Sequence, residues 1–221
     1  MKVKYIFGTS YNIFNYNLAN DCVRRLRRDV ALKFFDGNRV TDKIILWGTL
    51  FIVAFGSLSH FFFEWSNGNA FVGLFSPVNE SVWEHLKLAF YPTVLWWAAG
   101  YLLASKKAKV NVGRWMSCSI VSILVSCTFI VSFYYVMKSA FGVESMFTDI
   151  LSFVIGVLFG QLVSLYVYRY PVLGRNCTVC SIAVILTMTF IFSVFTFFPP
   201  QVPLFHDKST GIYGISHTPI K

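Results

Sequence analysis

Five blocks of mostly apolar residues, each close to twenty long, leave this chain few ways to fold. They run Ile44–Phe63, Leu86–Ala104, Trp115–Met137, Ile150–Tyr168 and Thr178–Phe198. A helix needs ~20 such residues to cross the hydrocarbon layer of a bilayer, and these blocks are too long for strands. The expectation is an all-α, polytopic membrane helix bundle of about five transmembrane helices over 44–200, with a basic segment before it (1–43) and a short tail after it (201–221). Composition agrees: only 13% of the 221 residues are charged, against about a quarter in a soluble domain. That leaves no room for a separate soluble domain.

The first 43 residues contain "RRLRRD" followed by "VALKFFDGNRVTDK". That continuation is too polar for the apolar core of a signal peptide. The segment reads as a cytoplasmic preamble, either an amphipathic surface helix around Asp21–Phe35 or a loosely ordered tail. Lysine and arginine then set the topology. Fifteen fall on the side of the N-terminus, counting the loops 105–114 and 169–177, and four fall on the other: Lys87, Lys138, Lys208 and Lys221. By the positive-inside rule the N-terminus is in and the C-terminus out. The net charge of +9 is thus distributed by topology rather than gathered into a nucleic-acid-binding patch. The partners expected are the lipid bilayer and another membrane protein, not nucleic acid. Cys177 and Cys180 in "CTVC" lack the second pair that a zinc site of that spacing wants, and read as small packing residues.

Every acid and histidine in the span-bearing part gathers toward one face. His60 and Glu64 end the first block, four apart and so on one helix face. In "FSPVNESVWEHLKLAFYP" the second helix is expected to start near Ser76–Asn79, with Ser76 before Pro77, or Asn79, as its cap. Glu80 and Glu84 then share a face with Lys87 and Tyr91, and His85 lies about 100° round. The helix dipole explains acids in a first turn, but not His85. The short, uncharged connector "SNGNAFVGLFSPV" makes the two helices antiparallel neighbours and brings the four groups together. Asp149 opens the fourth block on the same side, and the tail "PPQVPLFHDKSTGIYGI" places His206, Asp207 and Tyr213 to fold back over it.

"HFFFEWSNGNAFVGLFSPVNESVWEHLKLAFYP" together with "PLFHDKSTGIYGI" resembles a family of small bacterial multi-pass membrane proteins known only as a domain of unknown function, over roughly residues 44–215. The resemblance implies the class and a bacterial plasma-membrane location, and marks Asn79, Trp83, Lys87, Asp207 and Tyr213 as further residues of the site. It implies no substrate.

Three functions compete. A membrane-embedded enzyme would use His60, Glu64 and His85, with Asp149 or His206, as ligands for zinc or another divalent metal. Glu80 and Glu84 would be its catalytic carboxylates, Glu80 as general base, and its substrate a lipid or membrane-anchored molecule. No HExxH or nucleophile motif accompanies them. A transporter would place ionisable groups within the spans, where Gln161 is the clearest polar residue. A structural or accessory protein would use the cluster as a hydrogen-bond network. Gly156 and Gly160 have the GxxxG spacing of close helix contact, more simply used within the chain than between chains.

Overall fold

A computed structural model describes residues 40–170, 178–207 and 209–215. The expected helix at 21–35, Cys22, Cys177, Lys208 and Lys221 lie outside the described residues. All regular structure among the described residues is helical: α1 (Val40–Ser59), α2 (Phe62–Trp65), α3 (Ala70–Gly73), α4 (Val82–Ser105), α5 (Val112–Phe141), α6 (Met146–Arg169), α7 (Thr178–Phe197) and a 3₁₀ turn at Pro203–Phe205. Of the five long helices, α1, α5, α6 and α7 are long and apolar enough to cross a membrane. The sequence leads one to expect a fifth such helix from the block at Leu86–Ala104. That helix forms, as α4, but it begins with Glu84, His85 and Lys87 and does not reach the same apolarity.

Direction alternates along the chain. At one end, Asp42 at the start of α1 pairs with Arg169 at the end of α6, Oδ2 to Nη2 at 2.9 Å. Arg114 in the first turn of α5 donates to the Tyr168 carbonyl at that same end. At the other end His60, just after α1, meets His85 in α4, and Thr196 near the end of α7 meets Glu84. The most extensive interface joins α5 to α6, with α1 packed on α4 and α6, and α7 lying mainly along α5. One apolar core contains Ile52, Phe90, Ile123, Phe153, Val157 and Phe192. A second, toward the Asp42 end, is built on Trp97, Trp115 and Leu165.

Glycines set how closely the helices approach. A Cβ on Gly160 would meet the Ser126 hydroxyl and come within 2.7 Å of the Ser122 carbonyl, and one on Gly156 would lie 3.2 Å from the Ser126 carbonyl. The GxxxG pair is therefore used inside the chain, against α5. The α1–α4 contact has a different origin. Pro92 lies inside α4 and has no N–H to offer the Leu88 carbonyl four residues earlier. Gly56 of α1 packs on that carbonyl, which would stand 2.5 Å from a Cβ at this position. A backbone oxygen cannot swing aside, so Gly56→Ala should destabilise the protein by about 2 kcal/mol. Denaturant titration in detergent checks this; a change under about 0.5 kcal/mol would mean that the helices part freely.

Candidate metal centre

The chain after α1 builds the site by turning. The helix does not continue through Glu64. It stops at Ser59, the chain turns at His60 and Phe61, and α2 starts at Phe62. His60 and Glu64 therefore part company: His60 faces α4, and Glu64 is exposed on α2. The connector then forms α3, whose N-terminus is capped by Asn69 accepting from the Phe71 N–H at 2.9 Å, and reaches α4 through 74–81.

The start of α4 also differs from the sequence expectation. Its cap is Ser81, whose Oγ accepts from the Glu84 N–H at 3.3 Å. Asn79 instead shapes the approach: its Oδ1 accepts from the Ser81 N–H, and its Nδ2 donates to the Gly214 carbonyl at 2.9 Å. Glu80 therefore lies outside the helix, and the helix dipole does not account for it. It does not share a face with Glu84, and the two carboxylates go to different partners.

Glu84 turns inward. Its Oε2 accepts from Lys87 Nζ at 2.6 Å and from the Val78 N–H at 3.0 Å. Lys87, whose side chain is 0% exposed, also donates to the carbonyls of Gly73 (2.8 Å) and Ser76 (3.4 Å) and to Thr196 Oγ1 (2.7 Å). The lysine thus satisfies the irregular backbone of the connector, which a loop at membrane depth needs from the protein. Buried in this way, Glu84 holds the segment that carries Glu80 through the Val78 N–H and Lys87.

Glu80 turns outward to the histidines. The two Nε2 atoms of His60 and His85 stand 3.2 Å apart. Glu80 Oε2 lies 3.3 Å from His85 Nε2 and Oε1 lies 3.6 Å from His60 Nε2. All three residues are partly open, with side-chain exposures of 31% for His60, 28% for His85 and 52% for Glu80. His85 Nδ1 is 2.8 Å from the Ser81 carbonyl. A carbonyl only accepts, so Nδ1 carries a proton and Nε2 is the atom that faces His60 and Glu80: it donates to the Glu80 carboxylate when His85 is protonated, and offers its lone pair to a metal once that proton is lost. Metal-ligating histidines are held in this way by their other ring nitrogen. Glu80 itself is held far below the usual carboxylate range by hydrogen bonds with His60 and then His85, so it is ionised whenever a metal could bind.

The remaining candidates lie around this group rather than in it. Asp149 lies in the first turn of α6. His206 packs edge-on against Tyr213, ring centroids 5.2 Å apart, and the two residues form a β-bridge. Asp207 closes the turn between them, accepting from the Ser209 N–H and hydroxyl and the Thr210 hydroxyl. Burial raises its pKa, but these donors outweigh it and hold the carboxyl below its ordinary value. Trp83 packs on Phe205 with the rings tilted by 37° and their centroids 4.8 Å apart. With the Asn79–Gly214 bond, this fastens the tail to the start of α4. Three groups that matter escaped the sequence reading: the Ser81 carbonyl, Thr196 and the Gly214 carbonyl. The spacing Ser81-x-x-Glu84 is that of a capping box and was a signal for the first of them.

The family profile described as "Family of unknown function (DUF6512)" matches residues 35–215, which include the whole of this site. The chain belongs to that family. No curated protein and no solved structure matches it. The family thus brings no activity with it, and the reading of the site rests on its own geometry.

Proposed function

We propose that the protein is an integral membrane enzyme in which His60, His85 and Glu80 hold a zinc-like divalent metal at one membrane face, where it hydrolyses a lipid or membrane-anchored substrate. The observation that carries this reading is the spacing of the three ligand atoms. Two ligands at the ~2.0–2.1 Å bond lengths of zinc stand about 3.3 Å apart in a tetrahedron, and about 2.9 Å apart at adjacent corners of an octahedron. The separations are 3.2, 3.3 and 3.6 Å, nearer to the tetrahedral arrangement. Two histidines and a carboxylate leave the fourth position for water, as in catalytic rather than structural zinc sites. On this reading Glu80 is a ligand and not the general base.

Membrane residence is supported by the four apolar helices and by large side chains exposed along them, such as Trp47, Leu50, Leu186 and Phe190. The lysine and arginine distribution supports placing the metal centre on the outer face of a bacterial plasma membrane. A transporter reading is weaker, because the buried charges Glu84–Lys87 and Asp42–Arg169 sit at the two ends of the bundle and not along a path through it.

Metal analysis of protein purified in detergent without chelator tests the proposal. About one zinc-class ion per chain is expected. It should be lost in His60→Ala, His85→Ala and Glu80→Gln while the unfolding transition is retained. A metal-free wild type that takes up no added zinc, or a double histidine variant that keeps its metal, would overturn it.

A further inference from the structure

Glu80 lies outside α4 and its side chain is 52% exposed, so the helix does not fix where its carboxylate points. Its neighbours in the chain do. Before it, the Val78 N–H donates to Glu84 Oε2 at 3.0 Å. Around it, Asn79 Oδ1 accepts from the Ser81 N–H at 3.0 Å and closes a turn with Glu80 at its centre. Ser81, at the far end of that turn, presents its carbonyl to His85 Nδ1 at 2.8 Å. One amide side chain therefore holds the backbone of one ligand and the support of a second. Asn79 is held in turn from outside, because its Nδ2 donates to the Gly214 carbonyl at 2.9 Å.

The far partner is as constrained as the near one. Gly214 has φ +71°, in the left-handed region that favours glycine. A Cβ there would stand 3.0 Å from Pro199 Cγ and Cδ and from the Thr196 carbonyl. Thr196 itself bonds Lys87 and Glu84 through its hydroxyl. A backbone conformation and a close packing that a side chain would disturb thus aim the Gly214 carbonyl at Asn79. We infer that Asn79 is a positioning residue for the metal centre, and that the C-terminal tail sets the geometry of that centre through the Asn79–Gly214 hydrogen bond. This inference rests on the metal-centre reading above. Groups that orient a ligand without binding the metal are worth about 10–100-fold in metal affinity, and here part of that support comes from 135 residues further along the chain.

The test titrates zinc into metal-free full-length protein in detergent, against a chelating dye, for the wild type, Asn79→Ala, Gly214→Ala and the double variant. Each single variant is expected to bind one zinc with affinity lowered by about 10–100-fold, with its unfolding transition retained. Both substitutions act on one contact, so the double variant should bind no more than about twofold more weakly than Asn79→Ala alone. Hydrogen exchange supplies a readout without metal: the Ser81 amide should exchange faster in both single variants, Gly214→Ala included. If Asn79→Ala does not fold, Asn79→Ser takes its place, because a serine hydroxyl supports the same turn but is too short to reach Gly214. Wild-type zinc affinity in either folded variant, additive losses in the double variant, or Ser81 exchange unmoved by Gly214→Ala would overturn the inference and leave the metal centre standing. A wild type that binds no zinc would instead mark failure of the centre itself, and the inference would fall with it.

Discussion

Lys87→Met should be the most damaging single substitution in the bundle, costing about 3–5 kcal/mol. The ammonium is fully buried and joins four groups: the Glu84 carboxylate, the carbonyls of Gly73 and Ser76, and the Thr196 hydroxyl. Removing it strands a carboxylate that is itself only 2% exposed and leaves loop carbonyls without their donor. Loss of both charges together is a milder change. Glu84→Gln combined with Lys87→Met keeps an acceptor for the Val78 N–H and buries no unpaired charge. The double variant should be more stable than the sum of the single effects predicts, with a coupling of at least about 1–2 kcal/mol. Denaturant unfolding in micelles, followed by tryptophan fluorescence, gives all four corners of the cycle. Additivity within about 0.5 kcal/mol would show that the pair does not act as a unit.

Metal affinity should fall by more than about a hundredfold in either His60→Ala or His85→Ala, exceeding the effect typical of groups that only support a ligand. Its pH dependence follows from the same geometry. Both imidazoles must be neutral and Glu80 ionised for a metal to bind. A carboxylate with a depressed pKa contributes its stabilisation fully above its unfolded value and loses it only as pH falls through the folded one. Glu80 is depressed far enough that it stays constant between about pH 5 and pH 8. The two imidazoles, each of which must give up a proton to bind, therefore set the response. Zinc affinity should fall as the pH is lowered, by up to about a hundredfold per unit where both imidazoles must be deprotonated. Competition with a chelating dye at a series of pH values measures this. Affinity that stays flat to pH 5 would exclude imidazole ligands.

The sequence made the convergence of His60 and His85 legible, because an uncharged thirteen-residue connector between two long apolar blocks forces antiparallel neighbours. Which carboxylate would join them was not. Three residues could cap α4: Ser76, Asn79 and Ser81. The choice moves the helix start past Glu80 and decides which acid faces which way. The answer lies in tertiary contacts. Lys87 draws Glu84 inward only because Gly73, Ser76 and Thr196 also converge on it, and Thr196 is far along the chain. The break after Ser59 was equally hidden, since the apolar run continues through Phe63 without a proline or glycine to mark it. Long helices follow from local composition, whereas the aim of each ionisable side chain depends on partners that the chain brings from elsewhere.

Lys87 and Thr196 are separated by 109 residues, and Asn79 and Gly214 by 135. A ribosome delivers the earlier member of each pair well before the later one, at about 5–20 residues per second. For several seconds the nascent chain holds a lysine, a glutamate and the connector without the helix that completes their hydrogen bonds, and both histidines without the tail that braces the start of α4. The last fifth of the polypeptide is thus what closes the first half. Shortening the chain at its C-terminal end would be felt at residues 79–87 before anywhere else.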